Sequence, residues 1–174
     1  MRTQAVEGRG FVTRAWDAFA HALLALCTRS VETDAATELT TRRERLFGLF
    51  LWRESTWRHG VLHGVEVRHS LFGDMRARID WRDGVVHGLW REWHKSGAKA
   101  LECAFESGVP HGKISAWRRD GSKRFVGTYR AGAKTGEWFY LTRRGDLDRK
   151  RTGLYLDGLR LSGIKGFNEW LGSP

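Results

Sequence analysis

Three histidines at equal spacing are the first residues that suggest chemistry. His63, His87 and His111 recur at one constant interval along the chain, and imidazole is a common metal ligand. If equivalent positions are two strands apart in a sheet, neighbouring imidazoles lie roughly 9–10 Å from one another, whereas zinc ligands lie about 2 Å from a shared ion. The spacing therefore argues against a metal site. Each histidine is expected instead to stabilise a glycine turn beside it.

The remaining candidates for catalysis are weaker. Cys103 and His111 could be a nucleophile and its base, but Cys103 falls on the apolar side of its predicted strand and no orienting partner is evident. Carboxylates are scattered over turns and polar positions, so no general acid and base pair emerges. We therefore expect no enzyme activity, no bound metal and no cofactor.

The amino-acid composition already limits the classes of fold that the chain can adopt. The 174 residues suffice for one ordinary domain, and 41% of them are hydrophobic. The chain has 21 glycines and 9 tryptophans but only 2 prolines, which favours tight turns between aromatic-rich segments over a helical bundle. Cys27 and Cys103 are too few for a disulfide scaffold and indicate buried thiols in a reducing compartment, so a cytoplasmic location is predicted.

An internal repeat with a period of about 24 residues determines the predicted fold. An aromatic series keeps this period through Trp57, Trp81, Phe105 and Tyr129 and then reaches Tyr155 after a slightly longer interval, whose extra length falls in 146–152. Apolar and polar residues alternate between the glycines, as half-buried strands require. The repeat predicts a mainly β protein built as an extended, single-layer antiparallel meander of hairpins. Three glycine series keep the same period: Gly60, Gly84, Gly108 and Gly132; Gly64, Gly88, Gly112 and Gly136; Gly73, Gly97, Gly121 and Gly145.

The repeat units resemble a known family. Residues 87–93 read HGLWREW and residues 135–140 read TGEWFY, each followed by a second glycine turn, and both resemble the bacterial variant of the MORN repeat (membrane occupation and recognition nexus) over residues 46–163. The resemblance implies hairpins stacked into one twisted antiparallel sheet. Some bacterial members are antitoxin components of toxin–antitoxin systems, and other MORN proteins are scaffolds or membrane-associated. Glu66 stands where Trp90 and Trp138 stand in later units, so a distorted first unit is expected.

The flanks of the repeat array are predicted to be caps. Apolar residues at helical spacing in 12–27 indicate an amphipathic helix over the sheet, although a signal sequence is an alternative that would place the chain outside the cell or at a membrane. Residues 31–45 begin acidic and end basic, which suits a short helix, or else a surface linker. The predicted organisation is an N-terminal helical cap at 1–45, a repeat domain at 46–163 and a capping tail at 164–174.

Charge supplies the main clue to binding. The formal net charge is +10; residues 57–112 hold 8 basic and 7 acidic residues, whereas residues 113–151 hold 12 basic and 4 acidic ones. Because equivalent turns of a meander line one edge, the basic residues around the second turn of each unit are expected to form a basic edge. An alternative role is to discourage edge-to-edge aggregation. The predicted basic edge comprises Lys95, Lys99, Arg118, Arg119, Lys123, Arg124, Arg143, Arg144, Arg149, Lys150 and Arg151.

Four tryptophans form a second set of candidate partner-binding residues: Trp90, Trp93, Trp117 and Trp138. Core packing is the competing role for most of them. Trp90 and Trp93 differ by three positions, so either a bulge intervenes or both faces of the sheet carry aromatic side chains.

These features favour a binding protein without catalysis. The first hypothesis is a protein-interaction module of the antitoxin or immunity type that covers an acidic protein partner. The alternative is a peripheral membrane scaffold that meets anionic headgroups. Nucleic-acid binding comes third, because basic and aromatic residues also contact phosphates and bases. Self-association is a further way to cover the sheet.

Overall fold

A single open sheet makes up the described part of the protein. The computed structural model describes residues 27–46 and 50–162. Every regular element in these ranges is a strand, and each strand pairs antiparallel with the next one along the chain. The predicted mainly β antiparallel meander is therefore confirmed. The strands are β1 (Cys27–Asp34), β2 (Leu39–Leu46), β3 (Phe50–Arg58), β4 (Val61–His69), β5 (Met75–Arg82), β6 (Val85–Trp93), β7 (Lys99–Glu106), β8 (Val109–Trp117), β9 (Lys123–Arg130), β10 (Ala133–Tyr140), β11 (Gly153–Leu156) and β12 (Leu159–Ser162).

The β1–β2 hairpin shows that the helix predicted at residues 31–45 was wrong. The acidic-to-basic order that suggested a helix dipole places Glu32 on β1 and Arg43 on β2, where they form an ion pair across the hairpin instead. Arg29 contacts Glu44 and Arg43 contacts Glu32, both at 2.9 Å. These partners are 15 and 11 positions apart in sequence, so a hairpin brings them together, whereas a helix pairs residues three or four positions apart.

Two other predictions concern segments outside the described residues. The amphipathic helix at 12–27 lies there except for Cys27, whose backbone begins β1. The capping tail at 164–174 also lies outside the described ranges. Both segments stay predictions from the sequence.

Two-residue turns line one long edge of the sheet, which we call the first edge. In the turn between β5 and β6, Asp83 and Gly84 have φ of 49° and 81°, the left-handed values that suit a tight hairpin turn. The Gly84 N–H donates to the Leu62 carbonyl of the preceding hairpin at 2.8 Å. Neighbouring hairpins are thus joined at this edge as well as along their strands. The first-edge turns are residues 59–60, 83–84, 107–108, 131–132 and 157–158.

The repeat histidines contact turns of the first edge, but not the turns expected. The glycine beside each histidine in sequence lies in a bulge, and the histidine contacts the turn of the next hairpin instead. In each case Nδ1 accepts a hydrogen bond from the first backbone N–H of the next hairpin's turn. The three imidazoles are therefore spread along the first edge, each beside a different turn. The pairs are His63 with Asp83 at 3.4 Å, His87 with Ser107 at 3.3 Å and His111 with Ala131 at 3.4 Å.

A β-bulge follows each histidine. Between two paired positions β6 contains two more residues than β5, and Gly88 lies in this bulge with φ of 110°. A Cβ on Gly88 would come within 3.0 Å of the Asp80 side chain. The Asp80 carboxylate accepts the Leu89 N–H at 3.0 Å, so a side chain replaces a hydrogen bond that the bulge removes from the ladder.

Strand pairing places the aromatic series on one face, which we call the aromatic face. From Trp81 onward each ring lies opposite a bulge glycine of the preceding hairpin, for example Trp81 opposite Gly64 and Phe105 opposite Gly88, whereas Trp57 lies opposite Thr40. A second row crosses the same face two residues further along each strand. The ring occupies the space beside the glycine, because a glycine has no side chain of its own to fill it. The second row contains Ser55, Glu66, Ile79, Trp90, Cys103 and Ile114.

The core lies at the C-terminal end of this face, and we call it the aromatic end. Trp138 is only 1% exposed and packs edge-on against Tyr129 with ring centroids 5.0 Å apart. Gly127 lies beneath it, and a Cβ there would come within 2.2 Å of the indole. The Trp138 indole therefore packs directly on the surface of the single sheet and forms the centre of the core on this face. The aromatic end comprises Leu101, Cys103, Phe105, Ile114, Phe125, Tyr129, Trp138, Tyr140 and Tyr155.

The opposite end of the aromatic face is held by charge, and we call it the ionic end. Glu66 is fully buried; it accepts hydrogen bonds from Arg53 at 2.7 Å, from Arg68 at 2.8 Å and from the Trp81 indole at 2.9 Å. Burial raises the pKa of Glu66, but the Arg68 hydrogen bond and the Arg53 charge more than offset it, so the pKa lies below its usual 4.5. The ionic end comprises Arg29, Glu44, Arg53, Glu66 and Arg68.

The distortion expected around Glu66 is not observed. In the first unit Ser55 pairs with Glu66 and Trp57 with Leu62, and the next unit has the same offset between its strands. A buried carboxylate therefore occupies the place of a tryptophan without changing the register, because the two arginines and the indole satisfy its oxygens.

Candidate interaction surface

The second long edge of the sheet carries the candidate interaction surface, and we call it the second edge. Its turns have one repeated geometry: the first residue's N–H donates to the carbonyl four positions later, at 2.8 Å for His94 with Ala98 and for Arg118 with Ser122. The glycine of each turn donates back to the first residue, at 3.0 Å in both cases. The two middle residues of each turn are left to face solvent. The second-edge turns are residues 70–73, 94–97, 118–121 and 142–145.

Exposed basic side chains occupy the last three of these turns. Lys95, Arg119, Arg143 and Arg144 are exposed middle residues, and successive turns are two strands apart, roughly 9–10 Å or more in a twisted sheet. Within residues 27–46 and 50–162, no ion pair involves any of these four side chains. The meander thus places unneutralised positive charge along one line, where the sequence predicted a basic edge.

Further basic residues surround this line. Lys123 and Arg124 begin β9 on the same edge and are exposed. Arg149, Lys150 and Arg151 are exposed in the segment between the last second-edge turn and β11. Arg151 lies over the Tyr140 ring with its guanidinium carbon 4.2 Å from the centroid. These five residues widen the basic edge next to the aromatic end.

Arg118 has a different role from its neighbour Arg119. Its guanidinium donates to the Lys123 carbonyl at 2.6 Å and also to the Leu141 carbonyl of the next hairpin. His94, the equivalent residue one repeat earlier, contacts the Trp117 carbonyl at 3.0 Å in the same way. Both side chains join adjacent turns of the second edge, so Arg118 supports the frame on which the exposed arginines stand.

Lys99 is also engaged within the chain. Its Nζ donates to Glu102 at 3.1 Å and lies 5.2 Å from the centroid of the Trp117 ring. Burial raises the pKa of Glu102, but hydrogen bonds from Arg91 and Lys99 more than offset this, so the pKa lies below its usual value. Of the predicted basic edge, Lys99 and Arg118 are thus held by internal contacts.

One carboxylate lies inside the basic line. Asp120 accepts hydrogen bonds from the Ser122 hydroxyl at 2.6 Å and from the Ser122 N–H at 2.8 Å. The Ser122 hydroxyl, followed by its backbone N–H, lowers the pKa of Asp120. This turn therefore presents Arg119 beside a fixed negative charge, whereas the turn at 142–145 presents Arg143 and Arg144 as its two middle residues and is followed by Asp146.

The structure distributes the four candidate tryptophans over different environments. Trp138 is buried at the aromatic end, which removes it from the surface that a partner can touch. Trp90 is half-buried on the aromatic face, where it packs against Phe105 at 5.7 Å. Trp117 lies on the other face, with Lys99 above it. Trp93, one repeat before Trp117, is half-buried as well, so aromatic side chains occupy both faces.

The sequence-based candidates for catalysis are not brought together. Cys103 is buried in the aromatic end, and burial raises the pKa of its thiol to about 11, which disfavours the reactive thiolate. His111 contacts the Ala131 N–H at the first edge. Within the described ranges, no group of three or more His, Cys, Asp or Glu side chains could hold a metal ion.

Sequence reasoning missed the turn at 70–73. Leu71 and Phe72 occupy its two middle positions and are 57% and 80% exposed. The signal was present in the repeat, because this turn holds two apolar residues where the later turns hold polar or basic ones. Among the four described turns of the second edge, the one at 70–73 is therefore apolar and each of the later three carries at least one basic residue.

Comparison with known proteins adds no identification. No protein-family model matches the chain, and no curated protein matches it. In the part of the chain that the structure describes, no helix has the length and apolarity needed to cross a membrane.

Proposed function

We propose that this chain is a non-catalytic protein-interaction module of the MORN type, whose second edge binds an acidic surface of a partner protein. One observation carries the proposal: Arg119, Arg143 and Arg144 stand exposed and without ion-pair partners among the described residues, on turns of fixed geometry along one line. A row of like charges held at fixed spacing favours a surface of opposite charge.

The proposed mode of action is steric covering. Because the turns that carry these arginines are already fixed by hydrogen bonds, binding requires ordering of the side chains but not of the backbone, and the positive charges also speed association. An antitoxin or immunity protein acts in this way when it blocks a toxin without altering it chemically. The antitoxin role rests on the resemblance of residues 87–93 and 135–140 to bacterial MORN repeats.

Affinity capture with matched charge-reversal variants tests the proposal. The second-edge variant combines Arg119→Glu, Arg143→Glu and Arg144→Glu and leaves Arg118 intact, because Arg118 supports the turns. The control variant combines Arg78→Glu, Arg82→Glu and Arg130→Glu, exposed residues away from the second edge, and changes the net charge by the same amount. Tagged wild-type chain is expected to retain one protein at near-equal amount from the native cell at moderate salt.

The test compares the amounts of partner protein that the two variants capture. The second-edge variant is expected to lose tenfold or more of the captured protein, while the control loses less than twofold. Equal losses in both variants would mean that only overall charge matters, and an unchanged second-edge variant would remove this edge from the proposal.

A second candidate function is a peripheral membrane scaffold. Its support is the exposed pair Leu71 and Phe72 on the same edge as the basic turns, an arrangement in which apolar side chains enter the lipid boundary while basic ones meet headgroups. Flotation with vesicles of phosphatidylserine and phosphatidylcholine, but not with phosphatidylcholine alone, is the expected result for this candidate.

A further inference from the structure

The apolar turn at 70–73 is held as firmly as the basic turns. The Ser70 N–H donates to the Asp74 carbonyl at 2.8 Å, and the Gly73 N–H donates to the Ser70 carbonyl at 3.0 Å. The Ser70 hydroxyl also accepts the Phe72 N–H at 3.2 Å and donates to the Asp74 carboxylate at 3.1 Å. Leu71 and Phe72 are therefore presented to solvent by a hydrogen-bonded turn with the second-edge geometry.

This turn is continuous with the basic line. It is the first of the four equivalent turns within residues 50–162, and the position of Phe72 is occupied by Ser96 one repeat later and by Asp120 two repeats later. The first basic turn stands two strands away, roughly 9–10 Å or more. A partner that covers the basic turns one after another towards the N-terminal side reaches Phe72 at the next turn of the row.

We propose that Leu71 and Phe72 are the apolar anchor of the protein interface on the second edge. The inferred partner is an acidic protein with an apolar pocket at one end of its acidic surface. Charge complementarity selects the acidic surface, and an exposed aromatic side chain that becomes fully covered is the usual type of interface hot spot. This inference rests on the proposed function, because it uses the same edge and the same partner.

Asp74 favours a protein pocket over a lipid surface for this anchor. Its carboxylate is 47% exposed and 3.6 Å from Arg76, and only Gly73 separates it in sequence from the apolar pair. A lipid boundary deep enough to cover Phe72 would also desolvate this charge, at a large cost. A pocket can enclose two side chains and leave the neighbouring carboxylate in water.

A photo-crosslinking residue placed at the anchor tests the inference in the full-length chain. Phe72→p-benzoylphenylalanine is expressed in the native cell, with Val85→p-benzoylphenylalanine as the matched control, since Val85 is an exposed apolar residue beside the first edge. After irradiation, the expected adduct at position 72 is the protein that the wild-type chain captures, at tenfold or greater yield than from position 85. The crosslinked peptide should line an apolar pocket bordered by Asp or Glu.

Phe72→Ser gives a second measurement that does not depend on crosslinking chemistry. Because Phe72 is exposed, this variant should fold normally, and capture of the same protein should fall about tenfold or more, with far-ultraviolet circular dichroism unchanged. Capture equal to wild type, or an adduct equal to that at position 85, would overturn the anchor while the proposed function stands. An adduct with lipid alone, together with flotation lost in Phe72→Ser, would overturn it in favour of membrane binding.

The charge variants separate failure of the anchor from failure of the proposed function. If position 72 crosslinks a protein whose capture is unaffected by the three second-edge reversals, the basic edge is not its binding surface and both the proposed function and the inference fail. If the reversals abolish the adduct at position 72, the basic turns and the anchor contact one partner, as inferred.

Discussion

The ionic end and the aromatic end occupy the same rows of one face, yet they are stabilised by different forces. At the ionic end, Arg53 and Arg68 surround the carboxylate of Glu66. At the aromatic end, Trp138 fills the equivalent layer over Gly127. The backbone register is maintained by hairpin turns and bulges in both regions, so the side chains on the face are free to vary in chemistry.

The difference has consequences for stability and for binding. Burying a large apolar side chain contributes about 1.5–3 kcal/mol, and an aromatic pair adds about 0.5–1.5 kcal/mol. Ion pairs that solvent reaches contribute about 0–1 kcal/mol. We therefore expect the aromatic end to unfold last. Arg143 and Arg144 lie beside this end, so two exposed arginines of the proposed binding edge stand next to the best-packed part of the sheet.

Truncation of Trp138 should have the largest effect on this comparison. Trp138→Ala removes the central ring of the core and is expected to lower the free energy of unfolding by about 3–5 kcal/mol. The control Trp52→Ala, at a position 40% exposed, should cost less than about 1 kcal/mol. Urea denaturation followed by far-ultraviolet circular dichroism measures both. Equal losses would contradict a core concentrated at the aromatic end.

Gly127→Ala should be the next most damaging change. The added Cβ meets the Trp138 indole, so overpacking is expected to cost about 1–3 kcal/mol. In a Trp138→Ala background the same change should cost little, because the clashing ring is gone. A double-mutant cycle in urea measures this coupling. A cost that is identical in both backgrounds would show that the ring does not limit this site.

Glu66→Gln tests the ionic end. Because the folded pKa of Glu66 lies below the usual 4.5, its carboxylate stabilises the fold above pH 4.5, and this contribution is lost as the pH falls through the folded pKa. Removing the charge leaves two arginines unpaired and should cost about 1–3 kcal/mol at pH 7.

The pH dependence of this loss of stability tests whether Glu66 acts through its charge. The difference between wild type and Glu66→Gln should shrink steadily below pH 4.5 in urea titrations. Glu32→Gln is the control, since its exposed ion pair with Arg43 should contribute little to stability at pH 7. A difference for Glu66→Gln that stays constant down to pH 2.5 would contradict the charged role of Glu66.

The smallest expected loss of stability is at the first edge, whose turns run along the sheet from the ionic end to the aromatic end. His87→Ala removes the acceptor for the Ser107 N–H, and water can replace it at this exposed turn, so the cost should be about 0.5 kcal/mol. His63→Ala and His111→Ala should each cost the same, and the triple variant should show their sum in urea titrations. A triple variant no worse than one single variant would rule out a role for these bonds.

The repeat period predicted most of the fold because each glycine series marks a local requirement. Turns such as 83–84 need left-handed backbone, and bulges such as the one at Gly88 need space beside Asp80. These requirements act within a few residues and so are visible in the sequence. The β1–β2 hairpin escaped prediction because its ion pairs join residues 11 and 15 positions apart, and the same charges also fit a helix.

The candidate surface was predicted in position but not in detail. The repeat placed the basic turns on one edge, yet it could not separate Arg118 from Arg119, because the carbonyl that engages Arg118 belongs to Leu141 in the next hairpin. It also could not separate Trp138 from Trp117, because the burial of Trp138 depends on three rings from two other strands, β9 and β11.

Amide hydrogen exchange on the captured complex tests the central claim most directly, since it shows which edge the partner covers. The proposal predicts slower exchange, relative to the free chain, in peptides that contain the second-edge turns at 94–97, 118–121 and 142–145. Peptides that contain the first-edge turns at 83–84, 107–108 and 131–132 should exchange at unchanged rates. Protection at the first edge with none at the second would contradict the proposed binding edge.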